Sequence, residues 1–178
     1  MRANYKDLRR LLTSKPFNLI ANNLAWIGCV IGREQTIWLI GPLVITYAAF
    51  LISTGTINLS QIAIPAMIGI SVDSVLTLSG IYQFENTSLI LPLWLIILWI
   101  AFSTTLTSSL SILWRHKIMV IAIGGTGMPI NYLAGERLGA VHFGQSHLVT
   151  ISLLCFLWAV CLPLLYQATE FSFGRARK

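Results

Sequence analysis

Six long apolar stretches, separated by short polar segments, dominate the pattern along the chain. They cover residues 16–32, 36–53, 60–82, 89–114, 117–135 and 147–167. A helix needs about 20 apolar residues to cross a hydrocarbon core about 30 Å thick. The pattern therefore predicts an all-α polytopic membrane protein: a compact bundle of six transmembrane helices that forms one domain over residues 16–167.

An amphipathic segment precedes the first apolar stretch. On a helix drawn over residues 4–14, apolar and basic side chains take opposite faces: Tyr5, Leu8, Leu11 and Leu12 against Lys6, Arg9 and Arg10. Such a helix lies in a membrane interface with its basic face toward anionic lipid. We expect residues 1–15 to form a cytoplasmic interfacial segment, with a solvated tail as the alternative reading, and residues 168–178 to form a basic cytoplasmic tail.

Composition and charge strengthen the membrane interpretation. The 178 residues are 56% hydrophobic and only 10% charged, whereas soluble domains have about 25% charged residues. A soluble globule, a disordered chain and a nucleic-acid partner are therefore not expected. With six spans, ten of the 12 basic residues fall on the side of the two termini, and only Arg33 and Arg137 fall on the other. This asymmetry predicts that both termini are cytoplasmic.

Asp73 is the acid that lies deep within a predicted span. An ionised carboxylate in hydrocarbon costs several kcal/mol unless it faces protein or water and finds a partner. Asp73 is thus a candidate functional residue. The alternative is a structural acid, hydrogen-bonded to Asn22, Thr77 or a tyrosine, that holds two helices in register.

The fifth apolar stretch contains an irregular sequence at its centre: Gly124, Gly125, Gly127 and Pro129. Glycine and proline weaken a helix, so a kinked or unwound segment is predicted. Discontinuous membrane helices line cavities and binding sites. The expected feature is a polar pocket in the outer half of the bundle. The alternative is a glycine-rich contact between closely packed helices, with Glu136 and Arg137 as an exposed pair.

The candidate ligand-binding residues come from the inward faces of several spans. They are Asp73, Asn22, Trp26, Thr77, Asn131, Tyr132, Glu136 and Arg137. Three tryptophans, Trp26, Trp99 and Trp158, lie deep enough to line a pocket or to pack against the core or lipid. His142 and His147 have no zinc-ligand spacing. No metal, cofactor or catalytic residue is predicted.

Several runs along the chain resemble a known family. They are Pro92-Leu93-Trp94, Phe102-Ser103-Thr104-Thr105-Leu106, Gly127-Met128-Pro129 and Gly135-Glu136-Arg137-Leu138-Gly139, with Asn18, Trp26, Gly41-Pro42 and Asp73 upstream. The chain resembles a bacterial family of small polytopic membrane proteins classed as a domain of unknown function, although Ala21-Asn22 stands where that family has Phe-Gln. The resemblance implies a Gram-negative inner-membrane protein, associated with membrane-lipid modification, and no established activity.

A looser similarity concerns architecture alone. Six helices in about 20 kDa and the spacing Ala21-x-x-x-Ala25 are similar to the substrate-binding membrane subunits of energy-coupling-factor transporters. Together, these features predict an integral inner-membrane protein that binds or translocates a small or lipidic ligand. Two alternatives remain: an enzyme or accessory factor of membrane-lipid modification, and a scaffold for a membrane-protein partner. A single buried acid excludes intramembrane aspartyl proteolysis, and no Gly-x-Ser-x-Gly or HExxH motif is present.

Overall fold

The structure, a computed structural model, describes residues 2–85 and 90–175. The described chain consists mainly of six helices: α1 (Arg2–Leu12), α2 (Lys15–Ser53), α3 (Leu59–Leu78), α4 (Leu93–Thr107), α5 (Lys117–Arg137) and α6 (His147–Arg175). The predicted helical class is therefore confirmed. The start of the fourth apolar stretch, at residue 89, and the last three residues of the basic tail lie outside the described residues.

A short antiparallel strand pair, absent from the prediction, joins two of the connections between helices. Strand β1 (Tyr82–Gln83) follows α3, and strand β2 (His142–Phe143) follows α5. Tyr82 lies opposite Phe143. The pair holds the ends of α3 and α5 together beside the candidate site.

Helix α2 consists of two antiparallel segments that meet at Arg33, where the backbone leaves helical geometry (φ 47°, ψ −131°). The hydroxyl of Thr36 donates to the carbonyl of Gly28 at 2.7 Å, although a straight helix would separate these residues by about 12 Å. The rings of Phe17 and Tyr47 lie 5.7 Å apart. The chain therefore reverses within α2, in the connection predicted between residues 32 and 36.

Within the described residues, four helices are long and apolar enough to cross a membrane: α2, α3, α5 and the part of α6 from His147 to Glu170. Helix α4 is equally apolar but has only 15 residues, fewer than the roughly 20 that a span requires. The stretch predicted over residues 89–114 is thus wrong as one continuous helix, because α4 is followed by a turn and a 3-10 helix over Ser111–Arg115.

A buried asparagine explains where α4 ends. The Nδ2 of Asn18 donates to Oγ1 of Thr104 at 3.0 Å, and its Oδ1 accepts from the Ser109 hydroxyl at 2.7 Å. The hydroxyl of Thr105 bonds back to the carbonyl of Phe102. These side chains offer the backbone an alternative to further helix, so the chain turns directly after Thr107.

The distribution of polar side chains is inverted relative to a soluble protein. Trp38 is 80% exposed and Phe156 is 74% exposed, while Asn18, Asp73 and Thr150 are completely buried. Soluble monomers rarely expose large continuous apolar surfaces. This inversion is the pattern expected of a bundle whose outer faces contact lipid.

Helix α5 continues through Gly124, Gly125, Gly127 and Pro129, so the unwound form of the predicted break is wrong. A Cβ added at Gly124 would overlap the backbone carbonyl of Trp158, and one added at Gly125 would lie 3.3 Å from the carbonyl of Cys155. Small residues allow membrane helices to approach closely, and hydrocarbon favours complete backbone hydrogen bonding. The glycines therefore seat α5 against α6, as in the close-packing alternative.

The bundle has two distinct ends. At the end called here the Arg33 end, Nη2 of Arg33 donates to the carbonyl of Leu138 at 2.6 Å. At the opposite end, called the α1 end, Nη2 of Arg9 donates to the carbonyl of Thr54 at 2.9 Å. Strands β1 and β2 belong to the Arg33 end.

Candidate functional site

Asp73 ties three helices together in the interior. Its Oδ2 accepts a 2.7 Å hydrogen bond from Nε1 of Trp99 on α4, and its Oδ1 accepts a 2.7 Å bond from the hydroxyl of Tyr132 on α5. The side chain is completely buried. Both carboxyl oxygens thus have donors, and the tyrosine partner agrees with the structural reading of this acid.

A glycine one turn earlier on α3 makes the Trp99 bond sterically feasible. A Cβ added at Gly69 would overlap the six-membered ring of Trp99. Residues four apart lie on one helix face, so the indole rests on Gly69 while its Nε1 reaches Asp73. The pair Gly69 and Asp73 therefore forms a seat for Trp99.

A column of near-parallel rings surrounds the carboxyl group. Tyr132 stacks between Tyr82, at 5.1 Å, and Trp158, at 5.9 Å, and Trp158 stacks on Trp99 at 5.4 Å. Among the described residues, the hydroxyl of Tyr82 and Nε1 of Trp158 are buried without hydrogen-bond partners.

A cleft with a volume of about 260 Å³ lies between the first half of α2, α4 and α5. Six aromatic side chains line it in the described structure: Trp26, Phe84, Trp94, Trp99, Phe102 and Tyr132. Two of them, Trp99 and Tyr132, are the donors to Asp73. The cleft therefore reaches the partners of Asp73 but not the carboxyl group itself.

Three asparagines supply polar groups to the cleft wall: Asn22, Asn23 and Asn131. The Nδ2 of Asn23 donates to the carbonyl of Leu19, and that of Asn131 donates to the carbonyl of Gly127, each at 2.8 Å. Their Oδ1 atoms are left as acceptors. The Oδ1 of Asn22 is buried and has no partner among the residues that the structure describes. No charged side chain lines the cleft in the part of the chain that the structure describes.

The structure brings together some of the predicted site residues and separates others. Asn22, Trp26, Asn131 and Tyr132 line the cleft, and Asp73 joins it through Tyr132. The remaining three lie elsewhere. Thr77 donates to the backbone carbonyl of Asp73, Glu136 pairs with His147 at 3.2 Å, and Arg137 is exposed. The predicted pocket residues Thr77, Glu136 and Arg137 are thus absent from the lining.

Sequence reasoning missed the direct role of Trp99 and that of Gly69. The depth of Trp99 suggested a pocket or core position but no specific partner. The four-residue step from Gly69 to Asp73 is visible in the sequence and places both residues on one helix face. A small residue one turn before a buried acid leaves room on the same helix face for a large side chain. That spacing was the signal that could have indicated a partner such as Trp99.

A second cavity of about 250 Å³ lies on the other side of the first half of α2. Phe17, Tyr47 and Thr104 line it near the α1 end, and Asn22 belongs to the walls of both cavities. The two cavities therefore meet at one polar side chain near the middle of the bundle.

Comparison with known proteins gives a family and no activity. A family described as protein of unknown function (DUF2878) matches residues 15–164. No curated protein and no solved structure matches the chain, so the similarity to energy-coupling-factor subunits gains no support. The match covers the described bundle from α2 into α6 and confirms the resemblance to a family of unknown function. The protein therefore belongs to the DUF2878 family.

Proposed function

We propose that the protein is a six-span integral protein of the bacterial inner membrane that binds a small or lipidic ligand in the cleft between α2, α4 and α5. The reversal at Arg33 supports six spans, since it divides the 39 residues of α2 into two crossing segments. Alternate helices then run in opposite directions. The 3-10 helix after Thr107 extends the short fourth crossing toward the α1 end.

The distribution of bases supports a cytoplasmic α1 end. Arg9, Arg10 and Lys15 lie on or beside α1, Arg115 ends the 3-10 helix, and Lys117 begins α5. At the Arg33 end the bases are Arg33 and Arg137 in the described structure. By the positive-inside rule, both termini are then cytoplasmic, and the cleft opens in the outer half of the bundle.

The cleft is the observation that carries the proposal. Ligand sites are concave and mostly apolar, with a few fixed polar groups, and the aromatic walls with three amides fit that description. Leu19, at one margin, is 42% exposed, and Asn23 and Asn131 are also exposed. The margin therefore faces the surroundings of the bundle at membrane depth, which favours entry from the lipid phase.

The second cavity favours translocation as a second candidate function. It lies near the α1 end, while the first reaches residues 140 and 141 near the Arg33 end. Asn22 lines both cavities. A ligand that moved past Asn22 from one cavity to the other would pass from one leaflet of the membrane to the other. A fluorescent-lipid flip assay in proteoliposomes tests this: acceleration over empty vesicles supports it, and equal rates contradict it.

Native mass spectrometry of protein extracted in mild detergent tests the binding proposal. Met128→Trp places a large ring in the cleft, since Met128 is part of its wall. Met119→Trp is the matched control on the same helix, because Met119 is 49% exposed and outside the cleft wall. We expect wild type and Met119→Trp to retain a co-purified amphiphile, and Met128→Trp to lose at least 80% of it.

Equal retention by all three proteins, or retention by none, would contradict binding in the cleft. Far-ultraviolet circular dichroism confirms that each variant keeps its helical content. If Met128→Trp does not fold, Asn131→Phe provides a second way to fill the cleft from its exposed margin.

A further inference from the structure

The cleft wall offers three amide oxygens as hydrogen-bond acceptors, beside the amide N–H groups that remain free of bonds within the helices. Because Asn23 and Asn131 both use Nδ2 in bonds to their own helices, their Oδ1 atoms are available to a ligand. Asn22 adds a buried Oδ1 that has no partner in the described structure. An unsatisfied buried acceptor costs about 1–3 kcal/mol, so a ligand that donates hydrogen bonds is favoured.

The aromatic wall adds negative potential to this acceptor set. Aromatic rings attract cations to their faces, and tryptophan does so most strongly. Trp26 lines the cleft and stacks on no other ring among the described residues, so its indole is available to a ligand. Trp99 and Tyr132 donate their polar hydrogens away from the cleft, to Asp73.

Asp73 lies directly behind the cleft wall, where its carboxyl group accepts bonds from Trp99 and Tyr132. No Lys, Arg or His forms an ion pair with it in the described residues. A buried acid without a cationic neighbour favours a positive charge nearby, because Coulomb energies are larger in a low dielectric. An anionic head group would meet the amide oxygens and the aromatic faces, with no base in the described cleft wall to pair with it.

We propose that the ligand of the cleft is an amphiphile with a primary ammonium head group, an inference that rests on the proposed function. The ammonium has three donors for the amide oxygens and a charge for the aromatic wall and Asp73. The apolar chain extends along Leu95 and Leu98 of the same cleft. Two sources offer this chemistry: a long-chain amine and a phosphatidylethanolamine head group.

Bromine quenches tryptophan fluorescence at contact, which allows a direct test with the protein in nanodiscs. The probes are 11-bromoundecylamine, 11-bromoundecanol and 11-bromoundecanoate. All measurements use a Trp38→Phe background, because Trp38 is 80% exposed and would report lipid partitioning. We expect saturable quenching with at least tenfold tighter apparent binding of the amine than of the alcohol, and weaker binding of the carboxylate.

Asp73→Asn tests the electrostatic part, since an amide keeps the size of the side chain. Its Oδ1 can accept from Nε1 of Trp99 and its Nδ2 can donate to the hydroxyl oxygen of Tyr132. We expect the preference for amine over alcohol to fall below threefold, because amine binding weakens more than alcohol binding. A merely structural role would weaken both probes equally and would contradict the proposal. Asn131→Leu should lower amine binding by about threefold or more, whereas Thr126→Leu, an exposed residue on the same helix, should not.

The outcomes separate this inference from the proposed function. Equal saturable quenching by the three probes, or preference for the carboxylate, overturns the ammonium assignment and leaves ligand binding intact. An absence of saturable quenching overturns both. Brominated-acyl phosphatidylethanolamine and phosphatidylglycerol then identify the source: stronger binding of the former indicates a phospholipid head group, and binding of the free amine alone indicates a long-chain amine. Both results support the ammonium head group.

Discussion

Replacing Gly69 by alanine should disrupt the seat of Trp99 and, with it, the connection between α3 and α4. The added methyl would overlap the indole, and overpacking of this kind costs about 1–3 kcal/mol. Displacing the ring also breaks the 2.7 Å bond to Asp73, and unsatisfied buried partners cost about 1–3 kcal/mol. Alanine regains up to about 1 kcal/mol of helix propensity.

The net effect is a loss of roughly 2–4 kcal/mol, which corresponds to a Tm about 5–15 °C lower for a chain of this size. Thermal unfolding in detergent, followed by tryptophan fluorescence and near-ultraviolet circular dichroism, measures both the stability and the packing of Trp99. Gly127→Ala is the matched control on α5, because its added Cβ would have its nearest neighbour at 3.5 Å. A Gly69→Ala protein as stable as Gly127→Ala, with an unchanged near-ultraviolet spectrum, would refute the reasoning.

The remaining predictions concern packing and topology. Gly124→Ala should lower the Tm by several degrees, because the added methyl overlaps the backbone carbonyl of Trp158. Gly125→Ala should lower the Tm by less than half as much, because its added methyl has its nearest neighbour at 3.3 Å. Equal shifts would contradict the packing of α5 on α6. Both Arg33→Gly and Arg33→Ala lose the bond to Leu138, but only glycine adopts a positive φ without strain. In denaturant titrations, Arg33→Gly should therefore be about 1 kcal/mol more stable than Arg33→Ala. A fluorescent protein fused after residue 178 should fluoresce, and alkaline phosphatase fused after residue 144 should be active; the reverse pattern would contradict the proposed orientation.

The helical class could be predicted because long apolar stretches have few other structures available in lipid. The reversal at Arg33 was also visible, since a polar group of three residues, Arg33 to Gln35, separates two apolar stretches. The end of α4 was not, because it depends on Asn18, which lies 86 residues before its partner Thr104. Local patterns contain no information about such a contact.

The candidate site was also predictable only in part, because its partners come from distant parts of the chain. Asp73 stood out because a buried acid needs a partner, and Tyr132 was among the residues chosen. The glycines of α5 were misread because helix propensity measured in water exaggerates their effect inside a bundle, where close packing on α6 compensates. Glu136 was assigned to the pocket because it shares a helix face with Tyr132, and Arg137 because it follows the expected break. Neither argument reveals that Glu136 pairs with His147.

Photo-crosslinking of a diazirine-bearing alkylamine in nanodiscs, with adducts mapped by peptide mass spectrometry, tests the central claim most directly. The account predicts adducts on cleft residues such as Trp26 and Met128, lost when Met128→Trp fills the cleft and retained in Met119→Trp. Adducts confined to lipid-facing residues such as Trp38 and Phe156, and unchanged by Met128→Trp, would contradict it.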